Sequence, residues 1–176
     1  MANLTGKQLV DRMIITGPIA AENVAQHGVD LNLVKVEKIV GKGFIPRVGK
    51  TKLATRQNVE PAEIEVDDEK TIAWHLEPGS YDITFAQGCE IPSDQMLLIR
   101  QRSSLLRNGA ILHSSCFDAG FRSSNIGTVL HVRIPITIEV GARVAQIYAH
   151  ESNVVENLYN GQYQNDKQRL EDKSQK

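Results

Sequence analysis

Apolar and polar positions along the chain follow two periods. Near the start, Leu9, Val10, Met13 and Ile14 recur on one helical stripe, and Thr5 and Gln8 stand at capping-box spacing. This predicts a helix that packs on one end of the domain and stops before Gly17-Pro18. Beyond it the period falls to two. Val29, Leu31 and Leu33 alternate with Asp30 and Asn32. Tyr81, Ile83 and Phe85 alternate in the same way, as do Leu130, Val132 and Ile134, then Ile136, Ile138 and Val140. Such runs, separated by Gly, Pro and Ser clusters, predict antiparallel sheets and an all-β sandwich, jelly roll or barrel. No strand-helix alternation supports a doubly wound fold.

Residues 41–70 break the pattern. They read as a long surface excursion with one strand at Ala62-Glu63-Ile64-Glu65-Val66. Their acidic run, Asp67-Asp68-Glu69, reads as a solvated turn or a cation site. Residues 164–176 hold seven charged residues and one large apolar one, Leu170, too little to form a core element. The chain is therefore divided into a single domain, 1–163, and a mobile charged tail, 164–176.

Composition narrows the function classes. The 176 residues suit one domain. Lys and Arg total 20 against 21 Asp and Glu, which argues against DNA or RNA as the partner but leaves room for one anion held by a few local cations. No apolar run is long enough to span a membrane, and the first residues lack the pattern of a signal peptide. Cys89 and Cys116 are read as reduced thiols of a cytoplasmic protein rather than as a disulfide.

Four segments carry candidate chemistry. In 26-QHGVDL-31, Asp30 sits among apolar strand residues, so it is paired, close to a cation, or on the wet face. In 102-RSSLLRNG-109, Ser103 or Ser104 can cap a short helix that ends at Gly109. Its free N–H groups, beside Arg102 and Arg107, have the chemistry of a polyphosphate site; the same residues also describe a capped surface helix with solvated arginines. In 117-FDAGFR-122, Asp118 lies on a glycine turn, where an acid orients a water or caps the turn, and Phe121 alone would be core. In 141-GARVAQI-147, Gln146 offers both a donor and an acceptor for a base or a phosphate.

Taken in this order, the four segments resemble the motifs of the trimeric dUTP diphosphatases and dCTP deaminases, over residues 24–164. The segment 76-LEPGSYDITFAQGCEIP-92 and the ending Tyr159 to Gln164 resemble the deaminase-type branch, and the Gly-rich tail of the diphosphatase branch is absent. The resemblance implies a distorted jelly-roll or β-barrel with an N-terminal helix and one short helix. It implies a homotrimer with sites between subunits, and a nucleotide covered by Tyr159, Tyr163 and Gln164.

The two activities part at a few positions. Deaminases place a glutamate shortly after the third motif, where this chain has His131, and an arginine two residues before its aspartate, where this chain has Cys116. His131 reads as a packed core histidine or as an altered proton carrier. The resemblance therefore implies Mg2+-dependent hydrolysis of dUTP to dUMP and pyrophosphate. Asp118 would activate water, and Arg102, Ser103, Ser104 and Arg107 would hold the phosphates. Phe121 would lie under the deoxyribose, and Asp30 would hold Mg2+ through water. The base would be read by a hairpin running from Ala110 to Phe117. The alternatives are a dCTP deaminase, an enzyme with both activities, and a non-catalytic nucleotide-binding or structural β-sandwich.

Overall fold

The computed structural model describes residues 3–164. Thr5 caps helix α1 (Gly6–Asp11) in a full capping box with Gln8. The helix is shorter than the apolar stripe implied. Met13, counted in that stripe, takes a left-handed backbone (φ 56°) and is 71% exposed, while Leu9 and Ile14 are buried.

Strands follow in chain order: β1 (Ile15–Thr16), β2 (Val29–Ile39), β3 (Arg56–Asn58), β4 (Ala62–Val66), β5 (Glu69–Leu76), β6 (Gly79–Phe85), β7 (Gly88–Glu90) and β8 (Gln95–Gln101). Helix α2 (Ser103–Arg107) is next, then β9 (Ala110–Leu112), β10 (Ser115–Phe117), β11 (Arg122–Ser123), β12 (Gly127–Val132), β13 (Ile136–Glu139) and β14 (Arg143–Glu151). The main sheet is antiparallel, in the order β10-β8-β14-β2-β6-β12-β9, with β3 paired to β2. Its two outermost strands, β9 and β10, are separated in sequence only by His113 and Ser114. That short link draws the edges together, so the sheet curls into a half-barrel. Smaller sheets, β1-β7-β11 and β13-β5-β4, complete the all-β architecture.

The alternating residues fill this curl. Val29, Leu31, Leu33, Ile83, Phe85, Leu97, Ile99, Leu130 and Ile147 are fully buried. A register shift between Leu33 and Lys35 resets the alternation of β2, so Val36 also faces the core. The two period-two runs near the end are shorter than they read. Ile134 is exposed in the turn between β12 and β13, and Val140 is exposed just past β13. The irregular stretch does contain β4, and the acidic run is its hairpin turn. Asp67 and Asp68 both have positive φ, the geometry of a two-residue loop that matches strand twist.

Among the described residues, no helix is long and apolar enough to cross a membrane. Residues 165–176, most of the predicted tail, lie outside the described residues. At Gln164, the first residue of that tail, the side chain accepts from Arg122 N–H and donates to the Gly120 carbonyl.

Candidate active site

Two groups of the predicted residues gather at opposite ends of β8. The first forms around Asp30. Its neighbours Val29 and Leu31 point into the core, so alternation turns its carboxylate to the other face of β2, yet Asp30 is only 5% exposed. A charge at that depth needs partners. Gln146, directly opposite on β14, donates to Oδ1 at 3.1 Å. Arg102 Nε lies 3.3 Å and Arg143 Nη1 3.7 Å from Oδ2. Arg102 also donates to the Arg143 carbonyl, so the two guanidinium groups and the carboxylate form one network. Arg143 lies within the quoted fourth motif but received no role from sequence. The signal was present: an arginine three residues before Gln146 on the same strand.

Next to this network, α2 is anchored by buried Leu105. Its N-cap position is Arg102, not Ser103 or Ser104 as sequence suggested, and no side chain caps it. The two serines instead form the first turn and are exposed, with Arg107 exposed in the last turn. Gly109 has φ +76°, as a residue ending a helix requires.

A buried amide network beneath the first group was not legible in the sequence. Asn32 Oδ1 accepts from Asn23 at 2.6 Å and from Gln87 at 2.7 Å, while Asn32 Nδ2 donates to the Gly141 carbonyl. It ties the start of β2 to the turn before β14, and so fixes Asp30 relative to Gln146 and Arg143.

The second group surrounds Asp118. Residues Asp118 to Phe121 form a turn closed by Phe121 N–H donating to the Asp118 carbonyl at 3.1 Å. Gly120, at φ +85°, supplies the left-handed position such a turn needs, and a side chain there would meet Leu158. The Asp118 residue is exposed at the mouth of a pocket of about 400 Å³ lined by Phe117, Phe121, Asn125, Gly127, Tyr159 and Tyr163, among others. Phe121 is 8% exposed and contacts Phe117 and Tyr159 at ring-centroid distances of 5.5 and 5.4 Å. Tyr159 N–H donates to the Ala119 carbonyl, and Gln164 bridges Gly120 and Arg122. The C-terminal segment therefore rests on the Asp118 turn of its own chain.

The base-reading hairpin expected from Ala110 to Phe117 does not form. The strand β9 pairs with β12, while β10 pairs with β8. Only Cys116 and Phe117 of that stretch line the pocket, and residues 118–127 supply much of the rest. His131 is not core either. It is exposed on β12, its Nδ1 lies 2.9 Å from Ser80 Oγ, and its ring meets His113 edge-on. Glu139 is exposed and accepts from the Thr71 hydroxyl.

The thiols separate by depth. Cys89 is fully buried, and burial pushes its thiol up to about 12. Cys116 is exposed as a residue, but its thiol is raised, first by partial burial against the pocket wall and then by the Asp118 charge. A raised thiol holds less thiolate at pH 8. Replacing Asp118 by Asn removes one cause of that shift. Alkylation of Cys116 by iodoacetamide at pH 8 should then run about two- to fivefold faster. An equal rate in both proteins would show that the charge does not reach the thiol.

The two groups are well separated within one chain. Phe117 pairs with Leu97, and Arg102 lies five residues further along. At about 3.3 Å per residue this is roughly 17 Å. The structure brings Asp30, Arg102 and Gln146 together, and separately Asp118, Phe121, Tyr159, Tyr163 and Gln164.

A curled antiparallel half-barrel of this kind is a known fold. The crystal structure of 2′-deoxycytidine 5′-triphosphate deaminase from Agrobacterium tumefaciens superposes with a TM-score of 0.57 at 16% identity, covering 84% of this chain and 47% of that one. The chain belongs to the dCTP deaminase-like family, whose model matches residues 3–152. It is 35% identical over 150 residues to a probable deoxyuridine 5′-triphosphate nucleotidohydrolase of Halobacterium salinarum, covering 85% of this chain and 88% of that protein. It is also 31% identical over 153 residues to a dCTP deaminase of Sulfurisphaera tokodaii, covering 85% and 78%.

Proposed function

We propose that the chain hydrolyses dUTP, as its Mg2+ complex, to dUMP and pyrophosphate. The observation that carries this reading is Asp118, an exposed carboxylate at the mouth of an aromatic-lined pocket. No side-chain hydrogen bond or ion pair holds it among the described residues. In the reaction, Asp118 accepts a proton from water as its oxygen bonds to the α-phosphorus. The bond from that phosphorus to the α,β-bridging oxygen breaks, and pyrophosphate leaves. Phe121 and Tyr159 flank the deoxyribose and base, which orients the α-phosphorus toward Asp118.

Mg2+ belongs to the substrate in this reading. Asp30 is already engaged by Gln146, Arg102 and Arg143, and no group of three or more His, Cys, Asp or Glu side chains is placed to hold a metal among the described residues. The donors do not fit a resident Mg2+, which instead travels on the triphosphate oxygens. Asp30 then acts as a positioning residue that aims Arg102 and Arg143. Arg102, Arg107 and the Ser103-Ser104 turn receive the phosphates of a nucleotide held in a neighbour's Asp118 pocket. The separation along β8 is why the reading requires a homotrimer.

A dCTP deaminase is the second reading, favoured by the description of the family model and by the Sulfurisphaera relative. Against it stands position 131, where the exposed histidine turns to Ser80 rather than offering a carboxylate. Incubating the chain with Mg2+ and each deoxynucleoside triphosphate, then resolving the products, separates the readings. The expected outcome is dUMP and pyrophosphate from dUTP and no ammonia from dCTP. Ammonia from dCTP without pyrophosphate from dUTP would transfer the assignment to deamination. Stabilisation by dUTP without any product would make the chain a binder.

A further inference from the structure

The excursion after β2 carries a charge pattern that the proposed reaction leaves unused. Residues 41–56 contain Lys42, Arg47, Lys50, Lys52 and Arg56 and no acid, in a chain whose net charge is -1. The C-terminal segment that reaches the pocket has the opposite deficit. From residue 152 to 164 its only charged side chain is Glu156. Between residues 152 and 164, the segment that would cover a triphosphate thus brings no cation.

The two segments are joined. Phe44 and Lys52 exchange backbone hydrogen bonds of 2.8 and 2.9 Å, so the excursion folds back as a narrow ribbon. In an extended chain, successive residues turn their N–H and C=O groups to opposite edges. Thr51 therefore faces away from Phe44, and Gln162 occupies that edge. Thr51 N–H donates to Gln162 Oε1 at 3.0 Å, and Gln162 Nε2 donates to the Thr51 carbonyl at 3.2 Å. A side-chain amide here does the work of a paired strand. The root of the ribbon is fixed as well, because Arg56 lies 2.6 Å from buried Asp82. Both residues line a hollow that has Gly127 in common with the lining of the Asp118 pocket.

We propose that this ribbon is a phosphate-binding arm, with Lys50 and Lys52 contacting the phosphate chain of the bound nucleotide. Lys50 and Lys52 flank the latched Thr51 and, by strand alternation, share one face. Both are exposed, as are Lys42 and Arg47. Gly49, with φ +106° and no neighbour within 4 Å, lets the tip turn beside Lys50. A lysine is a mobile point charge suited to phosphate oxygens. The Gln162 latch then couples the arm to the segment that carries Tyr159 and Tyr163, so both close together. The inference rests on the reading that the pocket takes a deoxynucleoside triphosphate.

The test uses the full chain with K50A/K52A, the charge-keeping K50R/K52R, and Q162A. Binding of the non-hydrolysable α,β-imido analogue of dUTP and of dUMP is measured by calorimetry with Mg2+. K50A/K52A should weaken the triphosphate analogue on the order of tenfold, leave dUMP within about twofold, and be largely rescued by K50R/K52R. Q162A should weaken the analogue roughly threefold without removing a cation. Unchanged affinity of K50A/K52A for the analogue would overturn the arm's role and leave the pocket reading standing. Equal loss of both ligands would also overturn it, since the lysines would then act on the pocket rather than on the phosphates. An unaltered parent chain that binds neither ligand would refute the pocket reading itself, and the arm with it.

Discussion

Asp118→Asn is expected to slow pyrophosphate release from dUTP by about a hundred- to ten-thousandfold, with affinity for dUTP kept within roughly threefold. The substitution keeps size and shape at an exposed position, so neither the turn nor the pocket has reason to change. The turn is closed through the Asp118 backbone carbonyl and held by Gly120, not by the carboxylate. What disappears is the base: an amide cannot take a proton from the attacking water. Single-turnover kinetics with excess enzyme isolate this step from product release. Hydrolysis at the parental rate would remove Asp118 from the reaction. A parallel loss of binding and turnover would recast it as a substrate anchor.

Gly28→Ala is expected to lower the melting temperature by about 2–12 °C and to weaken dUTP binding. A Cβ at position 28 would sit 2.5 Å from the Ile147 carbonyl oxygen and 3.0 Å from Gln146 Cγ. Both belong to β14, and a backbone oxygen cannot swing aside as a side-chain end can. Overpacking of this kind costs about 1–3 kcal/mol, and each kcal/mol moves the midpoint of a domain this size by roughly 2–4 °C. The displaced strand carries Gln146 away from Asp30, which loosens the partner of Arg102 and Arg143. Gly141→Ala is the control. That site has φ +84° but open space around it, so its cost is backbone strain alone, about 1–2 kcal/mol. A Gly28→Ala chain that melts no lower than the Gly141→Ala chain would refute the close approach of the first and fourth motifs.

Much of this architecture was legible because alternation is a local property. Val29, Leu31 and Leu33 announced β2, and Tyr81, Ile83 and Phe85 announced β6, from spacing alone. Thr5 and Gln8 announced the start of α1 because a capping box is complete within four residues. Errors arose where distant partners decide the outcome. Ile134 and Val140 continue an apolar rhythm, but the chain turns beside them and both stay exposed. Ala110 to Phe117 looked like a hairpin, yet its two halves found better partners in β12 and β8. The site showed the same division. Asp30, Arg102 and Gln146 could be named, but whether the carboxylate faced metal or guanidinium depended on the register between β2 and β14. The Thr51–Gln162 latch joins residues 111 apart, and nothing local to either one signals it.

The position of β14 has a consequence for how the protein is made. It is the last strand among the described residues, yet it lies in the middle of the main sheet, with β2 on one side and β8 on the other. While the ribosome is still adding residues before 143, each of those strands presents an unpaired edge, and Asp30 lacks Gln146 and Arg143. The sheet can close only when β14 inserts between two strands that are made before it. Long-range pairing of this kind folds slowly. Open edges recruit neighbouring nascent chains in the interval, so premature termination ahead of β14 yields aggregation rather than a smaller working domain.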